Sequence, residues 1–153
     1  MFNLFKKKAV DLFTADQKEL ITSSIRSAEE RTSGQIRVFI ESKCSNKNTL
    51  QKAKELFYRL KMEETKEHNG VLVYVAIKDK RLAVFGDEGI HQKVGDTFWN
   101  DAVQKMISHF NKENYAYGIA RVVQEIGDAL QLHFPHDKNN DINELPDDIV
   151  FGK

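Results

Sequence analysis

The sequence predicts an α/β fold in which a small mixed sheet carries about four main helices. Three observations lead there. After Asn69-Gly70, Val71 to Ile77 form an apolar run with no polar interruption, the pattern of a strand buried on both faces. Lys78-Asp79-Lys80-Arg81 then reverses the chain before a second apolar run, Leu82 to Phe85, which predicts a hairpin. The flanking segments repeat apolar residues three and four apart, as amphipathic helices do.

The elements follow in order. Met1 to Phe13 is a short amphiphilic arm, with Phe2, Leu4 and Phe5 beside Lys6, Lys7 and Lys8; it is expected to pack on the domain, being too short for a stable membrane-surface helix. Thr14 and Gln17 form a capping box ahead of Leu20, Ile21, Ile25 and Ala28, predicting a helix over 15–30. Thr32-Ser33-Gly34 ends it. Gln35 to Ser42 alternates Ile36, Val38 and Ile40 with polar neighbours, so this strand is expected near the sheet edge with one better-buried face. Asn48 or Thr49 caps a second helix bearing Leu50, Ala53, Phe57 and Leu60. Beyond the hairpin, Phe98, Trp99, Ala102, Val103, Met106, Ile107 and Phe110 mark a third helix, and Tyr115, Ile119, Val122, Val123, Ile126 and Leu130 a fourth; these stripes are core faces rather than a cofactor box. The domain therefore spans 14–134, preceded by an arm over 1–13. Residues 135–153, rich in Asp137, Asp141, Glu144, Asp147 and Asp148, are expected to be a disordered acidic tail, whose Ile149-Val150-Phe151 could dock back or meet a partner.

Composition narrows the function classes. The chain has 153 residues with 23 basic and 23 acidic side chains, so no global charge favours nucleic acid. One cysteine, Cys44, excludes an internal disulfide and a CxxC centre. No apolar run is long enough to span a bilayer, and the N-terminus does not resemble a secretory signal, which makes a cytoplasmic monomer the default expectation. His109, His133 and His136 are too scattered for zinc, and neither GxxxxGK[ST] nor GxGxxG occurs.

The order helix, strand, helix, strand, strand, helix, helix makes the first two strands parallel and the hairpin strand antiparallel to the second. The end of the third strand, Gly86-Asp87-Glu88-Gly89, then shares one rim with the starts of the other two, Glu30 to Gly34 and Glu67 to Gly70. Glu30, Ser33, His68, Asn69, Asp87, Glu88 and Asp96 are expected there. Clustered carboxylates repel unless a cation or proton offsets them, and a hard cation such as calcium or magnesium takes oxygen ligands. The plainer reading is that these acids cap helices in solvated turns.

Glu30-Arg31-Thr32-Ser33-Gly34-Gln35-Ile36, Asn69-Gly70-Val71-Leu72-Val73, the basic hairpin, Gly86-x-x-Gly89 and Asp96 together resemble the TPM domain. That family includes thylakoid-lumen proteins linked to photosystem II repair, bacterial membrane-anchored proteins and an animal receptor modulator. The resemblance covers roughly 14–130. It implies a three-layer α/β/α sandwich, a divalent-ion site on the acidic rim and, for some members, an acid phosphatase activity. Carried over by position, Glu30 is the acid before the Ser-Gly turn and Asp96 the acid opening the third helix. The chain departs from the pattern in placing Asp87 and Glu88 between the glycines, where an aromatic residue is expected, and His91 beyond.

Two functions follow. One is a cation-binding interaction or regulatory domain with Glu30, Asp87, Glu88 and Asp96 as calcium or magnesium ligands. The alternative is a metal-assisted phosphomonoesterase, with Ser33 orienting phosphate and His68 or His91 donating a proton. The first is preferred, because no nucleophile motif or dense His/Asp cluster occurs. A protein partner bound through the acidic tail is a third possibility.

Overall fold

A computed structural model describes residues 8–136 and 149–152. Its main elements are α1 (Ala15–Glu29), β1 (Gln35–Glu41), α2 (Thr49–Arg59), β2 (Gly70–Ala76), β3 (Arg81–Gly86), α3 (Glu88–Asn111), α4 (Tyr115–His133) and β4 (Val150–Phe151). Local chemistry sets their starts. Thr14 and Gln17 close the expected capping box on α1, and Asn48 rather than Thr49 caps α2 by accepting from the Gln51 N–H.

The sheet has the order β3-β2-β1-β4. β1 and β2 run parallel, with Gln35 beside Gly70, and β2 and β3 form the antiparallel hairpin, with Val71 beside Gly86. Side-chain alternation divides two cores. Ile36, Val38, Ile40, Val71, Val73, Val75, Leu82 and Val84 face α1, α3 and α4. Phe39, Leu72, Tyr74, Ala76 and Ala83 face Ala53, Leu56 and Phe57 of α2. The result is the three-layer α/β/α sandwich that the resemblance implies.

Three features differ from the sequence reading. β1 is an interior strand, buried on both faces from Gln35 to Ile40, because β4 pairs along its outer side through Phe39–Val150 and Ile40–Phe151. Residues 149–152 therefore do not belong to a solvated tail; Phe151 packs against Phe13 of the N-terminal arm, ring centroids 6.3 Å apart. The expectation of disorder for 137–148, and the first seven residues of the arm, lie outside the described residues. The third helix starts at Glu88 and bends at Gly95, whose φ of 75° and ψ of 175° leave the helical region. Glycine takes that left-handed φ without a Cβ penalty. No described helix is long and apolar enough to cross a membrane.

Candidate functional site

The expected rim exists. The Asp87 N–H donates to Gly70 O at 2.9 Å and the Gln35 N–H to Asn69 O at 3.3 Å, so the end of β3 and the starts of β1 and β2 lie side by side. The first turn of α3 is pressed onto the loop before β2. A Cβ on Gly89 would stand 2.3 Å from Glu67 O and 2.5 Å from His68 O, a contact that only glycine permits. His68, at φ 51°, offers its carbonyl to the Ile90 N–H at 3.3 Å.

Asp87 is the best-defined acid. Its Oδ1 accepts the Glu88 N–H at 2.8 Å, capping α3 where the helix dipole favours negative charge. Asp87 is only 6% exposed, and its Oδ2 is buried without a hydrogen bond. His68 Nδ1 lies 3.4 Å from that oxygen, close enough for ion pairing when the ring is protonated but outside hydrogen-bond geometry. A second oxygen at this rim, Oδ1 of buried Asn69, also lacks a bond.

Asp87, Glu88, His91 and Asp96 line one end of a cavity of about 550 Å³; Leu50, Tyr58, Val84, Phe85, Trp99 and Val103 line its apolar length. Trp99 fixes the imidazole: its Nε1–H donates to His91 Nδ1 at 2.9 Å. Nδ1 is thereby an acceptor, so in the neutral ring the proton sits on Nε2, which lies 3.5 Å from Asp96 Oδ1. His91 presents a donor to the acidic end, and neither nitrogen is free to ligate a metal.

The other sequence candidates separate from this cluster. Glu30 is exposed and does not line the cavity; its neighbour Glu29 reaches the rim, accepting the Ile36 N–H at 2.9 Å. Ser33 donates to Glu67 Oε2 at 2.6 Å and accepts from Asn69 Nδ2 at 3.2 Å, a separate polar knot. The four-carboxylate set of Glu30, Asp87, Glu88 and Asp96 is not assembled. Among the described residues no three of His, Cys, Asp and Glu stand close enough to hold a metal ion together. The helix start explains it: Asp87 is turned onto its cap, and Asp96 is carried past the Gly95 bend towards His91.

At the opposite end of the sheet, Tyr74 donates to Glu41 Oε2, and Lys52 stands 3.9 Å from the same oxygen. Burial, reinforced by the Glu41 carboxylate, holds the Tyr74 phenol protonated well above its ordinary range. Cys44 lies here too, its thiol donating to Asn46 O at 3.2 Å.

The model of the TPM domain family matches residues 7–129. The chain belongs to the TPM domain family. Among solved structures, the BA42 protein from the psychrophilic bacterium Bizionia argentinensis is 39% identical, with a TM-score of 0.83 over 92% of this chain and 95% of that one. The N-terminal domain of cg2496 from Corynebacterium glutamicum is 10% identical, with a TM-score of 0.63 over 84% of each chain. The N-terminal domain of a protein from P. gingivalis is 20% identical, with a TM-score of 0.67 over 82% of this chain and 83% of its own. These last two share the fold. No curated protein matches the chain. The family match runs from the N-terminal arm into α4 and takes in every residue that lines the cavity, including its acidic end.

Proposed function

We propose that the acidic end of the cavity binds a divalent cation, calcium or magnesium, and that this TPM domain is a cation-responsive interaction module. The observation that carries it is Asp87 Oδ2, buried and without a hydrogen bond. A desolvated carboxylate oxygen is costly unless something positive offsets it. Glu88 and Asp96 are exposed and line the same end of the cavity, so their side chains can swing to add oxygen ligands, the donors that hard cations prefer. Among the described residues lining the cavity, Lys54 is the one lysine or arginine, against Asp87, Glu88 and Asp96, so an anionic ligand alone would meet net repulsion there. Glu30 takes no part.

Titration with calcium chloride or magnesium chloride, followed by amide shifts, tests this. Saturating changes are expected from Gly86 to Asp96, with Lys43 to Lys47 unmoved. Shifts spread evenly over the surface would mean charge screening and would end the proposal.

The second reading is metal-assisted phosphomonoester hydrolysis, favoured by the fixed His91 donor and by the phosphatase in the family's name. A hard cation supplies Lewis acidity towards a phosphoryl oxygen; His91 Nε2–H would donate to a phosphoryl or leaving oxygen. Hydrolysis of 4-nitrophenyl phosphate that disappears in Asp87→Ala supports this reading, and hydrolysis unchanged by the substitution rejects it.

A further inference from the structure

The cavity's position relative to the sheet carries a second conclusion. It is lined by Leu50 and Tyr58 from α2, on one face of the sheet, and by Trp99 and Val103 from α3, on the other. Every residue from Leu82 to Asp87 also touches it, and β3 is the edge strand. A space that meets both helical layers and the edge strand from Leu82 to its end lies off the free edge of the sheet, where a fifth strand would go.

The backbone there is set for one. Asp87 N–H donates across to Gly70 O, and these residues stand opposite one another in the register that pairs Val71 with Gly86. Antiparallel strands alternate between bonded and non-bonded pairs, so Arg81, Ala83, Phe85 and Asp87 turn their N–H and C=O groups towards β2. Leu82, Val84 and Gly86 turn theirs outwards, and no described strand meets them. Edge strands are usually blunted by charge, proline or a bulge, yet Leu82, Ala83 and Val84 carry none of these. An unpaired edge flanked by apolar walls is the geometry of strand addition, in which main-chain bonds supply affinity and side-chain pockets supply selectivity.

We propose that this groove binds an extended peptide from a partner protein, added antiparallel to β3. Its alternate apolar side chains enter the walls made by Leu50 and Tyr58 on one side and Trp99 and Val103 on the other. Its N-terminal end carries an arginine or lysine that meets Asp87, Glu88 and Asp96. The charge assignment rests on the same acidic end as the cation reading, so a divalent ion and the basic side chain compete for those carboxylates. Cation binding then releases the peptide.

The probe is a fluorescein-labelled peptide beginning with arginine and continuing with alternating threonine and valine, titrated against the full chain. Binding is expected, with slowed hydrogen exchange at the Leu82, Val84 and Gly86 amides. N-methylation of the alternate residues that face β3 is expected to weaken binding roughly tenfold or more, since each lost main-chain bond counts, whereas methylating the other set leaves it. Equal effects of the two methylation patterns, or no change in exchange along β3, would overturn strand addition. Tyr58→Lys alters an exposed wall residue and is expected to weaken the peptide without unfolding the domain. Calcium is expected to weaken the peptide on the order of tenfold, by reciprocal linkage. Calcium that binds beside an unaffected peptide overturns the shared acidic end alone. Calcium that binds while no peptide does overturns strand addition and leaves the cation reading standing. A peptide that binds where calcium does not would overturn the cation reading alone.

Discussion

The two ends of the sheet use their polar groups in opposite ways. At the end where β3 begins, Arg81 donates to Thr49 Oγ1 at 2.9 Å and to the carbonyls of Asn46 and Lys47 at 2.8 and 2.5 Å. Asp79 there accepts the Cys44 N–H at 2.8 Å, and Tyr74 and Glu41 bond to each other. At the other end, Asp87 Oδ2 and Asn69 Oδ1 are buried without hydrogen bonds, and a cavity opens beside Asp87. Buried polar groups are normally satisfied. One end has spent its polar groups on holding the fold; the other keeps some in reserve, which is what a ligand needs.

Four substitutions test that contrast. Gly89→Val forces a side chain into the carbonyls of Glu67 and His68. It is expected to cost about 3 kcal/mol, read from the denaturant midpoint; a loss under about 1 kcal/mol would mean that α3 is not seated on that loop.

Tyr74→Phe is expected to cost roughly 1–2 kcal/mol at neutral pH by removing the hydrogen bond that Glu41 accepts, with the response to calcium intact. The folded phenol's pKa is raised, so its stabilisation is complete below an unfolded tyrosine's value of about 10. It declines as pH rises beyond that, because the unfolded chain loses the proton first. Wild type should therefore lose its advantage over the variant in alkaline melts. A pH-independent gap would contradict the buried phenol.

Asp87→Asn keeps an oxygen to cap α3 and removes the charge. Stability should change by less than about 1 kcal/mol, while the calcium-induced amide shifts vanish; retained shifts would place the cation elsewhere. Leu50→Ala, at a residue 53% exposed, should alter stability by no more than about 0.5 kcal/mol. It sharpens the contrast by asking whether peptide affinity falls although the fold does not notice.

Much of the architecture was legible because local signals agreed. Thr14 with Gln17, the uninterrupted Val71–Ile77 run and the Lys78–Arg81 reversal each pointed to the element that forms, and the strand order put the loop from Gly86 on the rim where β1 and β2 start. The site was less legible. Glu30 and Glu29 are adjacent in sequence, and only the way α1 ends decides that Glu29 reaches Ile36. The early start of α3 was hidden by Gly89 and Gly95, poor helix formers whose presence answers to tight packing and a bend. The Trp99–His91 bond spans that bend, so no helical spacing announces it. Leu50 sits on the apolar stripe of α2 but lines a groove rather than the core. β4 was legible only as one alternative, Ile149-Val150-Phe151 docking back, because a two-residue strand has too little pattern to outweigh the acidic stretch before it.

That short strand has a consequence for handling the protein. Phe151 lies against Phe13, and the Lys18 ammonium stands 5.7 Å from the centre of its ring, so the last described residues latch the opening ones to β1. A version ending before Ile149 would bare the flank of β1 and the side of Phe13 that Phe151 covers, giving the molecule a second sticky margin. Purification handles are therefore better attached where that latch is left closed.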